Sequence, residues 1–239
     1  MCGRAYETYT DEELYVRYLP KSPAVPLEIA PVYNLCPTQN SPVLRLASGE
    51  RRFDLMRWQL VPATEPSFSS KLSTFNARSE SIFASPLYRD LIVRQRCIVP
   101  MSGFYEWKRT GDSKRPFRIF LREEPIMSVA GIWETWHRGL PDERQSFSVM
   151  TTSANEFMSN IHDRMPVILS RSDEDAWLDP EFSERRTLQK LLKPCPSSWL
   201  ERIEVSSLVN SPKNNSPALL ESVEKSGGAT PYTPNLFEA

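Results

Sequence analysis

The chain is 239 residues long, with 29 Lys and Arg against 30 Asp and Glu and a formal net charge of −1. A balance so close to zero excludes a globally basic nucleic-acid binder, while 40% hydrophobic residues are enough for one buried core. The 21 prolines against 8 glycines predict loops and short elements rather than long helices.

Thr10-Asp11-Glu12-Glu13 predicts a capping box and a short helix through Leu19 that Pro20 stops. Residues 20–42 hold six prolines and predict a long connection. β-like runs follow at 43–46 and 53–60, then a polar, Ser-rich loop at 61–74 and a helix at 81–88. Residues 97–100 and 104–107 predict strands flanking Met101-Ser102-Gly103, which reads as a tight turn between them. Further strands are expected at 116–121, 126–133 and 147–152, with a charged hairpin loop at 137–145. Helices are expected at 153–160, from Ser172 through Trp177, and at 183–192, with an apolar strand at 167–169. From Ser226 the composition predicts a disordered tail, 226–239, behind a domain at 2–222. The alternation of many short strands with a few helices predicts a single α+β domain. It is built on a curved, largely antiparallel, barrel-like sheet with peripheral short helices.

Cys2, Cys36, Cys97 and Cys195 are far apart in sequence, and His137 and His162 are the only histidines. No zinc spacing results, so neither a metal nor a cofactor is expected. No apolar leader precedes Cys2 and no run is long and apolar enough to span a membrane. A reducing, intracellular location is expected, bacterial cytoplasm or eukaryotic nucleus. Residues 89–122 carry nine Lys/Arg against three Asp/Glu, either a local nucleic-acid face or a solvated surface balanced by acids near Asp173 and Asp179.

Cys2 places a thiol beside what becomes a free α-amine once Met1 is removed. The amine titrates near ~7.7–8.0 and the thiol near ~8.5, so both are close to reactivity at neutral pH. A 1,2-aminothiol condenses with an aldehyde, first to an imine and then to a thiazolidine; the alternative is that Cys2 is an accident of position. Glu106 stands between Tyr105 and Trp107, and strand alternation either turns it to solvent or holds it in a cleft. His162 lies between a helix and an apolar strand; on its own it reads as a hydrogen-bonded structural histidine before it reads as a catalyst.

Taken together, six segments resemble the SRAP family (SOS response-associated peptidase). They are Met1-Cys2-Gly3-Arg4, Tyr33-Asn34 with Pro37-Thr38, Asn76-Ala77-Arg78-Ser79-Glu80, Cys97-Ile98-Val99-Pro100 with Gly103-Phe104-Tyr105-Glu106-Trp107, Ile161-His162-Asp163-Arg164-Met165-Pro166, and Val209-Asn210. They fall in family order over residues 2 to about 215. The resemblance implies a monomeric protein that captures abasic sites in single-stranded DNA as a covalent cross-link, and that removes its own Met1. It implies Cys2 as nucleophile, Asn76 as a hydrogen-bonding positioner, Glu106 as acid/base and His162 as proton-transfer aid. Arg4, Arg78 and Arg164 are implied as phosphate contacts, with Pro37, Thr151, Thr152 and Phe68 along the DNA surface.

The sequence departs from the family pattern at Gln59, where glycine is usual, and at Cys36, where alanine is usual. It also departs in the loop Ala63-Thr64-Glu65-Pro66-Ser67-Phe68, which usually carries tryptophans that wedge against bases. These departures bear on DNA engagement more than on chemistry. Two other readings stay open: a thiol peptidase acting in trans with Cys2 and His162, and a non-covalent single-stranded DNA-binding domain using the basic stretch.

Overall fold

In the computed structural model, which describes residues 2–19, 26–111 and 113–223, the chain opens with strand β1 (Ala5–Glu7). Thr10 caps α1 (Asp11–Tyr18): its hydroxyl accepts from the Glu13 amide at 3.2 Å, and the Glu13 carboxylate accepts from the Thr10 amide at 2.8 Å. Then come β2 (Val32–Leu35), β3 (Asn40–Ala47), β4 (Glu50–Trp58), β5 (Asn76–Arg78), α2 (Leu91–Arg94), β6 (Arg96–Met101) and β7 (Gly103–Thr110). After them run β8 (Ser113–Leu121), β9 (Met127–Trp136), β10 (Arg144–Ser153), α3 (Glu156–Ser159), β11 (Arg164–Pro166) and β12 (Ile168–Leu169). The last elements are α4 (Arg171–Leu178), α5 (Arg185–Leu191) and β13 (Leu200–Glu204). The tail expected at 226–239 lies outside the described residues.

Strand β3 pairs with β4 and β6, β6 with β9, and β9 with β10; β10 then runs parallel to β4 and closes a five-stranded barrel. β5 and β11 extend from β10, and β12 from β9. A second, antiparallel sheet in the order β13-β8-β7-β1-β2 lies against it. Alternate barrel residues separate cleanly. Val43, Cys97, Val99, Val129 and Val149 pack with Cys2, Ala5, Leu35, Phe104 and Ile119 of the N-terminal segment and the second sheet. Their neighbours Leu44, Ile98, Ala130 and Met150 pack with α1, α2, α4 and α5. Both strand faces are buried, which is why β6 and β9 read as continuous apolar runs rather than alternating ones.

Three local expectations change. Residues 81–88 form turns, and the helix appears only at Leu91–Arg94, because Pro86 lacks an amide and disfavours a helical Ser85. Met101-Ser102-Gly103 is not a hairpin turn: β6 and β7 belong to different sheets, and Ser102 is where the chain crosses, donating its amide to Tyr6 O at 3.0 Å. Glycine is required next, since a Cβ at Gly103 would sit 2.4 Å from Tyr6 Oη and 2.5 Å from Ile119 O. The helix expected at 153–160 shrinks to one turn capped by Asn155, because β10 continues through Ser153.

Part of the basic stretch is structural. Arg96 is buried and donates to the carbonyls of Ile92, Val93, Trp177, Asp179 and Phe182, tying α2 and α4 to the barrel. Burial pulls its guanidinium down to about 10.

Candidate active site around the N-terminus

Cys2 is fully buried between the barrel and the second sheet. The ladder that carries β1 along β7 continues backwards, with the Tyr105 amide donating to Arg4 O at 2.9 Å, so the residues ahead of β1 are laid beside Tyr105 and Glu106. From another direction β5, hydrogen-bonded parallel to β10 with Asn76 opposite Val149, delivers Asn76. Its side-chain amide donates to Cys2 O at 2.8 Å. Asn76 Oδ1 is buried and has no hydrogen-bond partner among the described residues.

Burial is the main influence that pushes the Cys2 thiol well above its ordinary range, and the Glu106 carboxylate adds to it. Glu106 is therefore electrostatically coupled to Cys2, and it is 4% exposed. Its strand carries it into the protein, in line with the cleft reading rather than the solvent one.

His162 follows α3, its amide donating to Met158 O at 2.9 Å. Nδ1 lies 2.9 Å from both the Arg164 amide and an Asp163 carboxylate oxygen. The amide can only donate, so Nδ1 carries the lone pair and the neutral ring keeps its hydrogen on Nε2. The Asp163 side chain is 86% exposed, and its contact is secondary to that backbone bond. Glu106 and His162 line one open cleft of about 430 Å³ with Trp107, Arg109, Lys114 and Asn210. A second cavity of about 370 Å³, lined by Arg17, Ser128, Arg171 and Trp199 among others, contains none of the expected site residues. Its two arginines are ion-paired, as Arg17–Glu174 and Arg171–Glu124.

The other expected residues divide by role. Arg4 donates to Asn34 Oδ1 at 2.8 Å and to Val209 O at 2.6 Å, and lies 5.8 Å from the Trp107 ring centre. Asn34 in turn donates to Ser211 O and Asn214 O. The Tyr33-Asn34 and Val209-Asn210 segments thus clamp the chain beside Arg4, and Asn210 Oδ1 fixes Trp107 by accepting from its indole at 2.7 Å. Arg78 is exposed at the far end of β5 from Asn76. Arg164 forks onto Glu80 at 2.6 and 2.9 Å and also donates to Thr151 O. Thr151 and Thr152 are buried, their hydroxyls directed at Ala77 O and Leu192 O. Pro37 is half-buried and precedes Thr38, whose φ is 81°.

Phe68 does not stand free. Its ring centre lies 5.6 Å from the Arg57 guanidinium and 4.4 Å from that of Arg144, and it packs against Trp136 at 5.7 Å. Gln59 has φ 116°, a backbone suited to glycine, and its side-chain amide ties down the loop by donating to Ser70 O and Leu72 O. The sequence alone does not single out the cationic pair Arg109 and Lys114; only the register of a hairpin brings them together.

Among the described residues, no group of three or more His, Cys, Asp and Glu side chains is placed to hold a metal ion. None of the described helices is long and apolar enough to cross a membrane.

Cys2 is thus buried beside a small closed barrel, hydrogen-bonded through its carbonyl to Asn76 and under the electrostatic influence of Glu106 from the second sheet. The chain belongs to the SRAP family: the family model for SOS response associated peptidase matches residues 1–212. It is 39% identical over 229 residues to the abasic site processing protein YoaM of Bacillus subtilis, covering 92% of this chain and 98% of that one. The abasic site processing protein HMCES of Xenopus tropicalis is 32% identical over 225 residues, 81% of this chain and 66% of that one. The abasic site processing protein YedK of Escherichia coli is 28% identical over 229 residues, 93% of this chain and 100% of that one. A crystal structure of a Bacteroides thetaiotaomicron protein shares the fold with a TM-score of 0.80 at 27% identity, covering 92% and 99% of the two chains.

Proposed function

We propose that this protein captures abasic sites in single-stranded DNA as a covalent adduct on Cys2 after Met1 is removed by its own hydrolytic activity. The observation that carries this reading is the meeting of the Asn76 amide and the Glu106 carboxylate at Cys2, from strands far apart in sequence. The relatives' names point to the same substrate.

The chemistry follows from what each group can do. While Met1 is attached, the Cys2 nitrogen is an amide and cannot form an imine. Hydrolysis of the Met1–Cys2 bond frees the α-amine. That amine adds to the aldehyde carbon of the ring-opened abasic sugar, giving a carbinolamine. Glu106 donates a proton to the departing hydroxyl, water leaves, and an imine forms. The Cys2 sulfur then adds to the imine carbon while its proton passes to nitrogen, closing the thiazolidine; the net loss is one water. The raised thiol fits this order, because it keeps sulfur protonated until the imine exists. Asn76 holds the Cys2 backbone, with Oδ1 left to accept from an amine or sugar hydroxyl. His162, with hydrogen on Nε2, serves as a hydrogen-bond donor at the sugar.

Intact mass should show the loss of one methionine. Incubation with abasic-site single-stranded DNA should then give an adduct that survives denaturing gels and disappears in Cys2→Ala. An unmodified wild-type band after that incubation refutes the proposal.

A further inference from the structure

We infer that the outer half of the β7–β8 hairpin is a phosphate-binding surface for the DNA strand, with Arg109 and Lys114 gripping the backbone where it leaves the reaction cleft. The inference rests on the proposed function only in that this function supplies the strand.

The hairpin is built in a way that folding alone does not favour. Its register sets Lys108 opposite Arg115 and Arg109 opposite Lys114, two successive like-charge pairs. Like charges directly across an antiparallel pair are destabilising. One pair is relieved: Arg115 forks onto Glu204, beside Lys108 and Arg202 on one side of the hairpin. The other is not, since no ion pair among the described residues engages Arg109 or Lys114. Asp112, between the two strands in sequence, lies outside the described residues and supplies one negative charge against these four positive ones. Arg109 and Lys114 are both exposed, and they open onto the cleft that Glu106 and His162 line.

The geometry suits a strand rather than a single ion. Arg109 lies three residues beyond Glu106, roughly 10 Å along an extended chain, which puts the cations at phosphates flanking the reacting sugar. Trp107 lies between them, its indole held by Asn210 and its ring part-exposed to the cleft. An anchored aromatic between an acid/base group and two exposed cations is the composition of a single-strand track. Arg78 and Arg164 do not line this cleft, so the hairpin adds a separate grip on the strand.

The test uses wild-type protein and a single-stranded oligonucleotide with a non-reactive tetrahydrofuran abasic analogue, so that binding stays reversible. Anisotropy titrations across a salt series give the slope of log affinity against log salt. Arg109→Gln with Lys114→Gln should shallow that slope by roughly 1.4, about 0.7 for each phosphate that is no longer neutralised. The effect should vanish when the oligonucleotide is trimmed on one side of the abasic position, which identifies the side that the hairpin holds. An unchanged slope overturns the inference. So does an equal change in Arg186→Gln with Lys190→Gln on α5, since that would report net charge alone. A parallel incubation with reactive abasic DNA separates the two ideas: no wild-type adduct refutes the proposed function, whereas adduct formation with an unchanged slope refutes only the hairpin's grip on phosphate.

Discussion

The side-chain amide of Asn76 donates a 2.8 Å hydrogen bond to the carbonyl oxygen of Cys2, 74 residues earlier in the chain. That single bond joins the barrel to the N-terminus and orients the residue whose amine and thiol are to react. Asn76→Ala removes the donor and leaves the Cys2 carbonyl unpaired in a buried site, a loss of about 1–3 kcal/mol. Cross-linking under single-turnover conditions should slow by about ten- to a hundred-fold. Asn76→Asp should be no better, because a carboxylate cannot donate to that oxygen. Rates within twofold of wild type for both variants would show that the bond orients nothing.

The proposed mechanism gives Glu106 two separable effects on Cys2. As a charge it opposes thiolate formation; as an acid it would deliver a proton to the carbinolamine. Glu106→Gln removes both, so the two readouts should move in opposite directions. Alkylation of Cys2 followed against pH, with the modified residue located by peptide mass, should shift to lower pH, though burial, the larger cause, keeps the thiol raised. Cross-linking should fall by about 10²–10⁴-fold, the usual contribution of a positioned acid. A variant that alkylates at lower pH and cross-links as fast as wild type would remove Glu106 from the mechanism.

Much of this site was legible because its parts are reactive types in short, ordered motifs. Cys2, Asn76, Glu106 and His162 each stand out within a few residues, and the capping box at Thr10 forms as read. What was not legible depended on pairing between segments. Ser102 looks like a turn until β6 and β7 are seen in different sheets. Glu106 looks solvent-facing by alternation until β7 is seen in a sheet that lies against the barrel. Tyr33-Asn34 and Val209-Asn210 become explicable only when Arg4 is found bridging Asn34 to Val209 O. Phe68 reads as a free wedge, yet Arg57 and Arg144, brought together by the parallel pairing of β4 and β10, lie against it.

Glu7 makes stability depend on pH. Burial raises its carboxyl from 4.5 to about 8, against the opposing hydrogen bonds of Ser41 and Tyr9. The folded state thus holds a proton that the unfolded state releases. Stability from this group is complete below about 4.5 and is lost as pH rises through about 8. The loss should be at most ~1.4 kcal/mol per pH unit. Glu7→Gln keeps an acceptor for the Ser41 hydroxyl and has no proton to lose. Its Tm should exceed that of wild type at pH 8–9 and approach it near pH 5; Tm curves that stay parallel across this range would rule out the linkage.

Gln59 occupies a left-handed backbone, φ 116°, at a cost of about 1–3 kcal/mol, and partly offsets it by tethering Ser70 O and Leu72 O. Gln59→Gly should relieve the strain and release the loop together. Thermal stability should stay the same or rise slightly, while limited trypsin cleavage after Lys71 should speed up several-fold. Cleavage at the wild-type rate would mean that other interactions hold the loop, the Arg57–Phe68–Arg144 contacts being the first to consider.

Arg164 cannot face a phosphate fully while it is forked onto Glu80. The pair is at the rim, with the Glu80 side chain 51% exposed and the Arg164 side chain 13% exposed, and the Arg164 hydrogen bonds hold the Glu80 carboxyl below its ordinary range. A half-exposed pair of this kind is worth about 0–1 kcal/mol, which a phosphate can displace. On the reading that Arg164 contacts a phosphate of the strand, Glu80 would be a stand-in anion that keeps the guanidinium aligned and a competitor that the strand must expel. Glu80→Gln removes the competing charge and keeps a neutral hydrogen-bond acceptor beside Arg164. Affinity for single-stranded DNA should rise up to about fivefold, with the salt dependence steeper or unchanged, whereas Arg164→Gln should weaken binding and shallow the slope by about 0.7. In Arg164→Gln, the further Glu80→Gln change should leave only its general charge effect, so the double-mutant cycle isolates the competition. Additive effects of the two substitutions would mean that Arg164 stays with Glu80 when DNA is bound, making the ion pair architectural rather than a gate on phosphate binding.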